Sequence, residues 1–315
     1  MQLIKVGAAV LNQTPLAWDT NKAHILAVID AAKKEQTSLL CLPELCITGY
    51  GCEDAFLSSG VQRMAWRVLE EILPATAGII VSLGLPILYN GALYNTACLV
   101  ANGQILGFVA KQFLAGDGIH YEPRWFKPWP ADRRVALSID GRAYPLGDIV
   151  FDCGGVKIGF EICEDAWVAN RPGGDLALRG ADIILNPSAS HFAFDKNEVR
   201  RRFVLEGSRA FGVSYVYTNL LGNEAGRAVY DGGAMIASAG KMLAVGPRFS
   251  YADQMLTTAV IDLDATRLSR ARTGSYQPEF EVDAADTVAA EFDFAAHAPS
   301  APHAGRAAWE TGAHL

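Results

Sequence analysis

Residues 156–167 read Val156-Lys-Ile-Gly-Phe160-Glu161-Ile162-Cys163-Glu164-Asp165-Ala166-Trp167. Val156 to Phe160 has the apolar, β-branched character of a buried strand. Cys163 follows almost at once, where the strand gives way to a loop or helix. A nucleophile suits that position, because the strand fixes its backbone while the turn exposes its side chain. Glu164, the next residue, can offer a backbone N–H to a developing oxyanion. Flanking carboxylates do not lower a thiol pKa. An activating cation or base must therefore come from elsewhere in the chain.

The remaining composition sets the frame. A chain of 315 residues, half of them hydrophobic and 19% charged, is ordinary for a soluble globular enzyme with a substantial core. A net charge of -7 argues against a nucleic-acid or anionic-membrane partner. The densest basic cluster, Lys196 with Arg200, Arg201 and Arg202, reads as a helix face. The six cysteines form no C-x-x-C pair, and the histidines lack zinc spacing, so no metal is expected. The cysteines read mostly as small buried hydrophobes in a reducing, cytoplasmic setting. The N-terminal run is broken by Lys5 and reads as a first strand rather than a signal peptide.

Strand and helix signals alternate outward from the quoted stretch. Ile4 to Leu11 predicts a strand. Ala17 to Lys34 predicts a helix, with Asp19, Thr20 or Asn21 as its N-cap. Glu53 to Leu73 predicts a second helix. Leu93 to Val100 and Gln104 to Ala110 predict a hairpin about Asn102-Gly103, and Phe113 to Tyr144 reads as a loop-rich aromatic segment. Ala181 to Asn186 and Ser214 to Asn219 predict strands flanking a helix over Asn197 to Phe211. A glycine-rich loop through Gly226, a hairpin about Ala239-Gly240 and a final strand over Leu256 to Asp262 follow. Residues 281–315 read as an Ala-rich, poorly ordered tail or linker after a single domain over residues 1–280. The two halves suggest helices outside two packed sheets.

Two further residues end strand-like runs. Glu44 lies in Leu42-Pro43-Glu44-Leu45, where burial would raise its pKa and suit it to general-base work. Lys111 ends the run Ile105 to Ala110 and would supply the cation that Cys163 lacks, favouring thiolate. Taken singly, each residue has a plain alternative: a loop glutamate, a solvated lysine, a structural thiol. Together, in the order Glu, Lys, Cys, they resemble the catalytic triad of the nitrilase (carbon–nitrogen hydrolase) superfamily. That resemblance covers roughly residues 1 to 280.

One branch is more similar than the rest. The run from Lys111 through Tyr121, Glu122, Arg124 and Trp125 to Trp129 resembles the glutaminase domain of glutamine-dependent NAD⁺ synthetases. So do Glu161 to Trp167, Asn186 to His191, and Tyr230 to Ile236. The resemblance implies an α/β fold, the α-β-β-α sandwich, and stepwise hydrolysis of the side-chain amide of L-glutamine through a Cys163 thioester. It implies Glu44, Lys111 and Cys163 as catalytic residues, Tyr50, Tyr121, Trp167, Ser190 and Lys196 as substrate-binding, and Glu122 and Glu164 as accessory. It implies no cofactor for the glutaminase step. ATP would serve only a synthetase domain, whose Ser-Gly-Gly pyrophosphate loop is not found in this sequence. That synthetase domain or subunit and a homo-oligomer are the implied partners. Two rival readings are a stand-alone amidase, carbamoylase or nitrilase, and a non-catalytic domain that has kept the fold.

Overall fold

A computed structural model describes residues 2–224, 227–280 and 286–298. The first half of the chain carries strands β1 (Leu3–Leu11), β2 (Leu39–Cys41), β3 (Ile80–Tyr89), β4 (Ala92–Ala101), β5 (Gln104–Ala110), β6 (Arg134–Ile139) and β7 (Arg142–Gly147). The second carries β8 (Val150–Cys153), β9 (Val156–Phe160), β10 (Ile183–Ser188), β11 (Ser214–Asn219), β12 (Leu221–Glu224), β13 (Ala228–Asp231), β14 (Met235–Ser238), β15 (Lys241–Val245), β16 (Gln254–Asp262) and β17 (Thr287–Ala290). The helices are α1 (Trp18–Lys34), α2 (Ser59–Ile72), α3 (Glu122–Trp125), α4 (Pro172–Leu178), α5 (Lys196–Ala210) and α6 (Leu263–Arg272).

Among the described residues, the two large sheets have the orders β16-β1-β2-β3-β4-β5-β7-β6 and β15-β14-β11-β10-β9-β8-β17. Alternation along β1 shows how they pack. Ile4, Val6, Ala8 and Val10 enter the core between the sheets, while Ala9 and Leu11 enter a second core under α1 and α2. On the far sheet, Ile183 and Leu185 face the shared core and Ile184 faces α4 and α5. A two-sided apolar strand must be covered on both faces, and the outcome is the expected α-β-β-α sandwich. No helix among the described residues is long and apolar enough to cross a membrane.

Local departures from the expected elements have identifiable causes. The first helix begins at Trp18 behind Ala17, not behind Asp19, Thr20 or Asn21. Asn21 is buried instead and exchanges bonds with the backbone of Thr14, tying the helix start to the loop before it. The expected helix over Glu53 to Leu73 breaks at Ser58, whose hydroxyl accepts from the Gly60 N–H and caps α2. The Asn102-Gly103 turn is present, with both residues at positive φ. The aromatic segment holds more order than its composition suggests, since β6 and β7 pair within it.

Part of the expected tail is ordered. Thr287–Ala290 forms β17 and adds to β8 in parallel, while Phe292 is buried against the core. Residues 281–285 and 299–315 lie outside the described residues, as do Ala225 and Gly226 of the glycine-rich loop. The basic cluster lies on α5, as expected, with Arg201 and Arg202 exposed but Arg200 turned inward. Arg200 is buried and donates two bonds to Asp231 at 2.8 and 2.9 Å. Its other guanidinium nitrogen donates to the Ser190 and His191 carbonyls at 2.9 and 2.7 Å. Arg200→Leu should therefore cost about 2 kcal/mol, because it leaves the buried Asp231 with Arg248 as its remaining cation and frees the loop after β10. The urea midpoint measures this, with an unchanged slope expected if the fold persists.

Candidate active site

Glu44, Lys111 and Cys163 start from three separate strand ends. Glu44 follows β2, in a loop that lies directly on β3. A Cβ at Gly84 would sit 2.2 Å from the Leu45 nitrogen, so glycine is what lets that loop approach. Lys111 follows β5, and its N–H bonds back to Asn95 on β4. Cys163 opens a single 3₁₀ turn, Cys163–Ala166, after β9. It holds a left-handed backbone at φ 46°, and Leu45 beside Glu44 does the same at φ 49°. Such conformations cost free energy in residues with a Cβ and persist only when their surroundings over-determine them.

Asp165 supplies that constraint at the nucleophile. Its buried carboxylate accepts the Ile162 N–H at 2.9 Å and the Gln112 and Phe113 N–H groups at 3.1 and 2.8 Å. One side chain thus pins the cysteine turn to the backbone following Lys111. Behind β9, the buried Glu161 accepts from Arg171, from the Tyr215 hydroxyl and from the Gly173 N–H. Neither carboxylate was singled out as a functional residue from the sequence. A carboxylate two residues on either side of a cysteine gives no clue to which backbone groups it will hold.

Lys111 Nζ donates to Glu44 Oε1 at 2.6 Å and to Glu122 Oε1 at 2.7 Å, and all three side chains are buried. Asn95 also donates to Glu44 Oε1, at 2.8 Å, and the Ala189 N–H donates to Oε2 at 2.9 Å. Tyr50 donates its hydroxyl to Glu122 Oε1 at 2.6 Å, and the Ala115 N–H holds Oε2 at 2.9 Å. Burial pushes the Glu44 carboxyl up to about 7, with Lys111 pulling it down and Glu122 adding to the rise. Burial acts to lower the Lys111 pKa, but the charges of Glu122 and Glu44 outweigh it and hold the ammonium well above its ordinary value.

Lys111 does pull the Cys163 thiol toward thiolate, as its charge predicts, but it does not prevail. Burial and the Glu44 charge push the Cys163 thiol up, and the pull of Lys111 does not overcome them. Burial is the largest cause, and the Glu44 and Glu122 carboxylates beside the sulfur add to it against a single cation. The protonated thiol is thereby favoured.

Cys163 opens onto a cavity of about 290 Å³. Trp167, Ser190 and Lys196 line it, as expected, and so do Glu164, Asp117 and His120. Lys196 Nζ lies over the Trp167 ring, 5.4 Å from its centroid. Burial lowers its pKa to about 8, against the raising influence of Cys163. Two expected binding residues stand elsewhere. Tyr121 is about half exposed, lies under the Arg227 guanidinium and lines a neighbouring crevice instead of this cavity. Tyr50 lines that same crevice, and its hydroxyl serves Glu122. The cause is the α3 turn. Glu122 must point inward to reach Lys111, so its chain neighbour Tyr121 points out.

The carbon–nitrogen hydrolase family profile matches residues 5–271. The chain belongs to the carbon–nitrogen hydrolase family. A glutamine-dependent NAD(+) synthetase of Oryza sativa subsp. indica is 35% identical over 292 residues, 89% of this chain and 40% of that protein. The glutamine-dependent NAD(+) synthetase of Homo sapiens is 34% identical over 283 residues, 86% of this chain and again 40% of its own length. The crystal structure of a glutamine-dependent NAD(+) synthetase from Cytophaga hutchinsonii superposes with a TM-score of 0.78 at 46% identity, over 82% of this chain and 43% of that one. An amidase from Nesterenkonia sp. superposes at 0.67 over 85% of this chain and 94% of its own, and at 21% identity it shows the fold alone. This carbon–nitrogen hydrolase chain spans about two fifths of the length of the curated relatives it matches.

Proposed function

We propose that this carbon–nitrogen hydrolase releases ammonia from the side-chain amide of L-glutamine through a thioester on Cys163. One observation carries the reading most directly. The cavity at the nucleophile holds a cation, Lys196, together with the carboxylates Glu164 and Asp117. An α-amino acid presents the complementary pair of charges, whereas an apolar nitrile presents neither. Lys196 would take the α-carboxylate and the acidic side chains the α-ammonium, with Trp167 and Ser190 shaping the walls. The glutamine-dependent synthetases among its relatives support the same substrate.

The chemistry follows from the cluster. As Cys163 Sγ attacks the amide carbon, its proton passes to Glu44 and the carbonyl electrons move to oxygen. Lys111 has a third N–H to offer that oxyanion, and the Glu164 backbone N–H offers another. Each such donor is worth about 3 kcal/mol in a dry site. Glu44 then protonates the departing nitrogen, the C–N bond breaks, and ammonia leaves a thioester. Water gives a proton to Glu44 as its oxygen attacks the thioester carbon. Collapse expels the sulfur, which recovers the proton, and glutamate is released. Glu122 stays out of the proton traffic and holds Lys111.

The released ammonia would feed an ATP-dependent synthetase domain or subunit, consistent with relatives more than twice as long. No organic cofactor or metal enters the hydrolytic steps of this scheme. The domain reading remains one hydrolase unit, and a homo-oligomer and a cytoplasmic setting belong to the same proposal. Glutamine should give equal amounts of ammonia and glutamate, with asparagine and short nitriles at least about tenfold slower. Fast turnover of a nitrile with none of glutamine would refute the assignment.

The base also sets a pH dependence. Glu44 must be ionised to accept the thiol proton, and its pKa is raised to about 7. Activity should therefore fall about tenfold per unit below pH 7 and, in kcat/KM, decline again above about pH 8 as Lys196 loses its charge. The acid limb reports the coupled cluster as a whole. Initial rates of kcat/KM from pH 5 to 8.5 test this, and a profile flat down to pH 5 would rule Glu44 out as the base. Glu44→Gln should lose the activity at every pH.

A further inference from the structure

A line of close polar contacts runs from the pocket cation toward the triad from its far side. Lys196 Nζ lies 3.1 Å from His191 Nδ1. The same Nδ1 lies 2.8 Å from His120 Nε2. His120 Nδ1 lies 3.2 Å from Tyr50 Oη, which donates to Glu122, which holds Lys111. The two imidazoles pack at a centroid distance of 4.8 Å, and Tyr50 meets His120 edge-on at 5.9 Å. These contacts span the α5 start, the loop after β10, the loop before α3 and the loop after β2.

The donors and acceptors along this line are not free to choose. A charged Lys196 can only donate, so His191 Nδ1 is bare and accepts. His120 must then carry its proton on Nε2 to meet that nitrogen. A neutral His120 is left with a bare Nδ1 facing the Tyr50 hydroxyl, whose one proton goes to the nearer Glu122. Burial and neighbouring cations keep both imidazoles neutral in the ordinary pH range, with pKa values lowered to about 3 for His120 and about 4 for His191. Without a cation at residue 196 the constraint disappears. His191 Nδ1–H can then donate to His120 Nε2, and His120 Nδ1–H to Tyr50. The charge state of the pocket lysine thus decides the tautomers of both histidines, and with them whether His120 can donate to Tyr50.

We infer that His191 and His120 are positioning residues that hold Lys196 at the pocket. His191 fixes where the ammonium sits above Trp167. His120, through its Nε2–H, holds the His191 ring with Nδ1 turned toward that ammonium. The inference rests on the reading of this cavity as the glutamine site, and it gives two otherwise unassigned histidines a role in substrate recognition.

Steady-state kinetics on the full chain test it. His191→Ala should raise KM for glutamine about tenfold while kcat falls less than about threefold. His191→Asn, whose side-chain oxygen can accept from Lys196, should bring KM back to within about threefold. In a double-mutant cycle, Lys196→Met with His120→Phe should be non-additive in kcat/KM by about fivefold. A loss confined to kcat, an asparagine variant no better than alanine, or strict additivity in the cycle would overturn the inference. Absence of glutamine turnover by the unaltered chain would instead defeat the assigned substrate, and the histidine proposal with it. Normal turnover with unmoved KM in both His191 variants defeats the histidine proposal alone.

Discussion

Cys163→Ala is expected to abolish ammonia release, by at least about 10³-fold, while the chain folds and still binds glutamine. In the proposed mechanism the sulfur is the atom that bonds to the substrate carbon, and no other cysteine lines the cavity. The remaining five are buried in the described structure. Alanine keeps a Cβ at φ 46°, so the strained turn held by Asp165 is not relaxed by the change. Removing one buried sulfur should cost only about 1 kcal/mol of stability. The two effects are therefore separable. Intact-mass spectrometry after treatment with a diazoketone analogue of glutamine should show one adduct on the unaltered chain and none on Cys163→Ala. A thioester or adduct persisting in the variant would place the nucleophile elsewhere and end the mechanism proposed above.

Lys111→Met should be almost as damaging to activity and far more damaging to the fold. Its ammonium lies 2.6 and 2.7 Å from two carboxylates, with all three side chains buried. Deleting the cation leaves Glu44 and Glu122 facing each other with no charge between them, at a cost of about 3–5 kcal/mol. The loss should depend on pH in a defined sense. Lys111 is what pulls the Glu44 carboxyl down against burial, so its removal raises that pKa further above the unfolded value. A carboxyl raised on folding binds a proton more readily in the native state. Its stability is therefore greatest below the unfolded pKa and is lost as pH rises through the folded one. Urea unfolding at pH 5 and pH 8 should show the variant deficit widening at pH 8. Pairing Lys111→Met with Glu122→Gln should recover much of the stability and none of the activity. Equal deficits at both pH values would mean that the cluster is not held by charge.

The fold was legible wherever burial imposes a repeat. β1, the hairpin about Asn102-Gly103 and β11 stand close to their expected places, because apolar spacing and turn chemistry are local properties. The misses are equally physical. Ser58 interrupts α2 by capping it, and Asn21 leaves its helix-cap role for a buried bond to Thr14. β17 looked like tail because an Ala-rich strand at a sheet edge carries almost no apolar signal of its own. Arg200 looked solvated because nothing near it in the chain predicts Asp231, which arrives from β13.

The residue types at the site, and their order along the chain, were contained in the sequence. Glu44, Lys111 and Cys163 each stand at a strand end, and strand ends are local. Which groups touch was decided only by tertiary structure. Asp165, Asn95 and the two histidines gain their roles from partners tens of residues away, and Tyr121 loses its expected place because Glu122 claims the inward direction. The thiol's protonation is of the same kind. It depends on burial and on the sum of nearby charges, and neither exists until the two sheets have closed over the cluster.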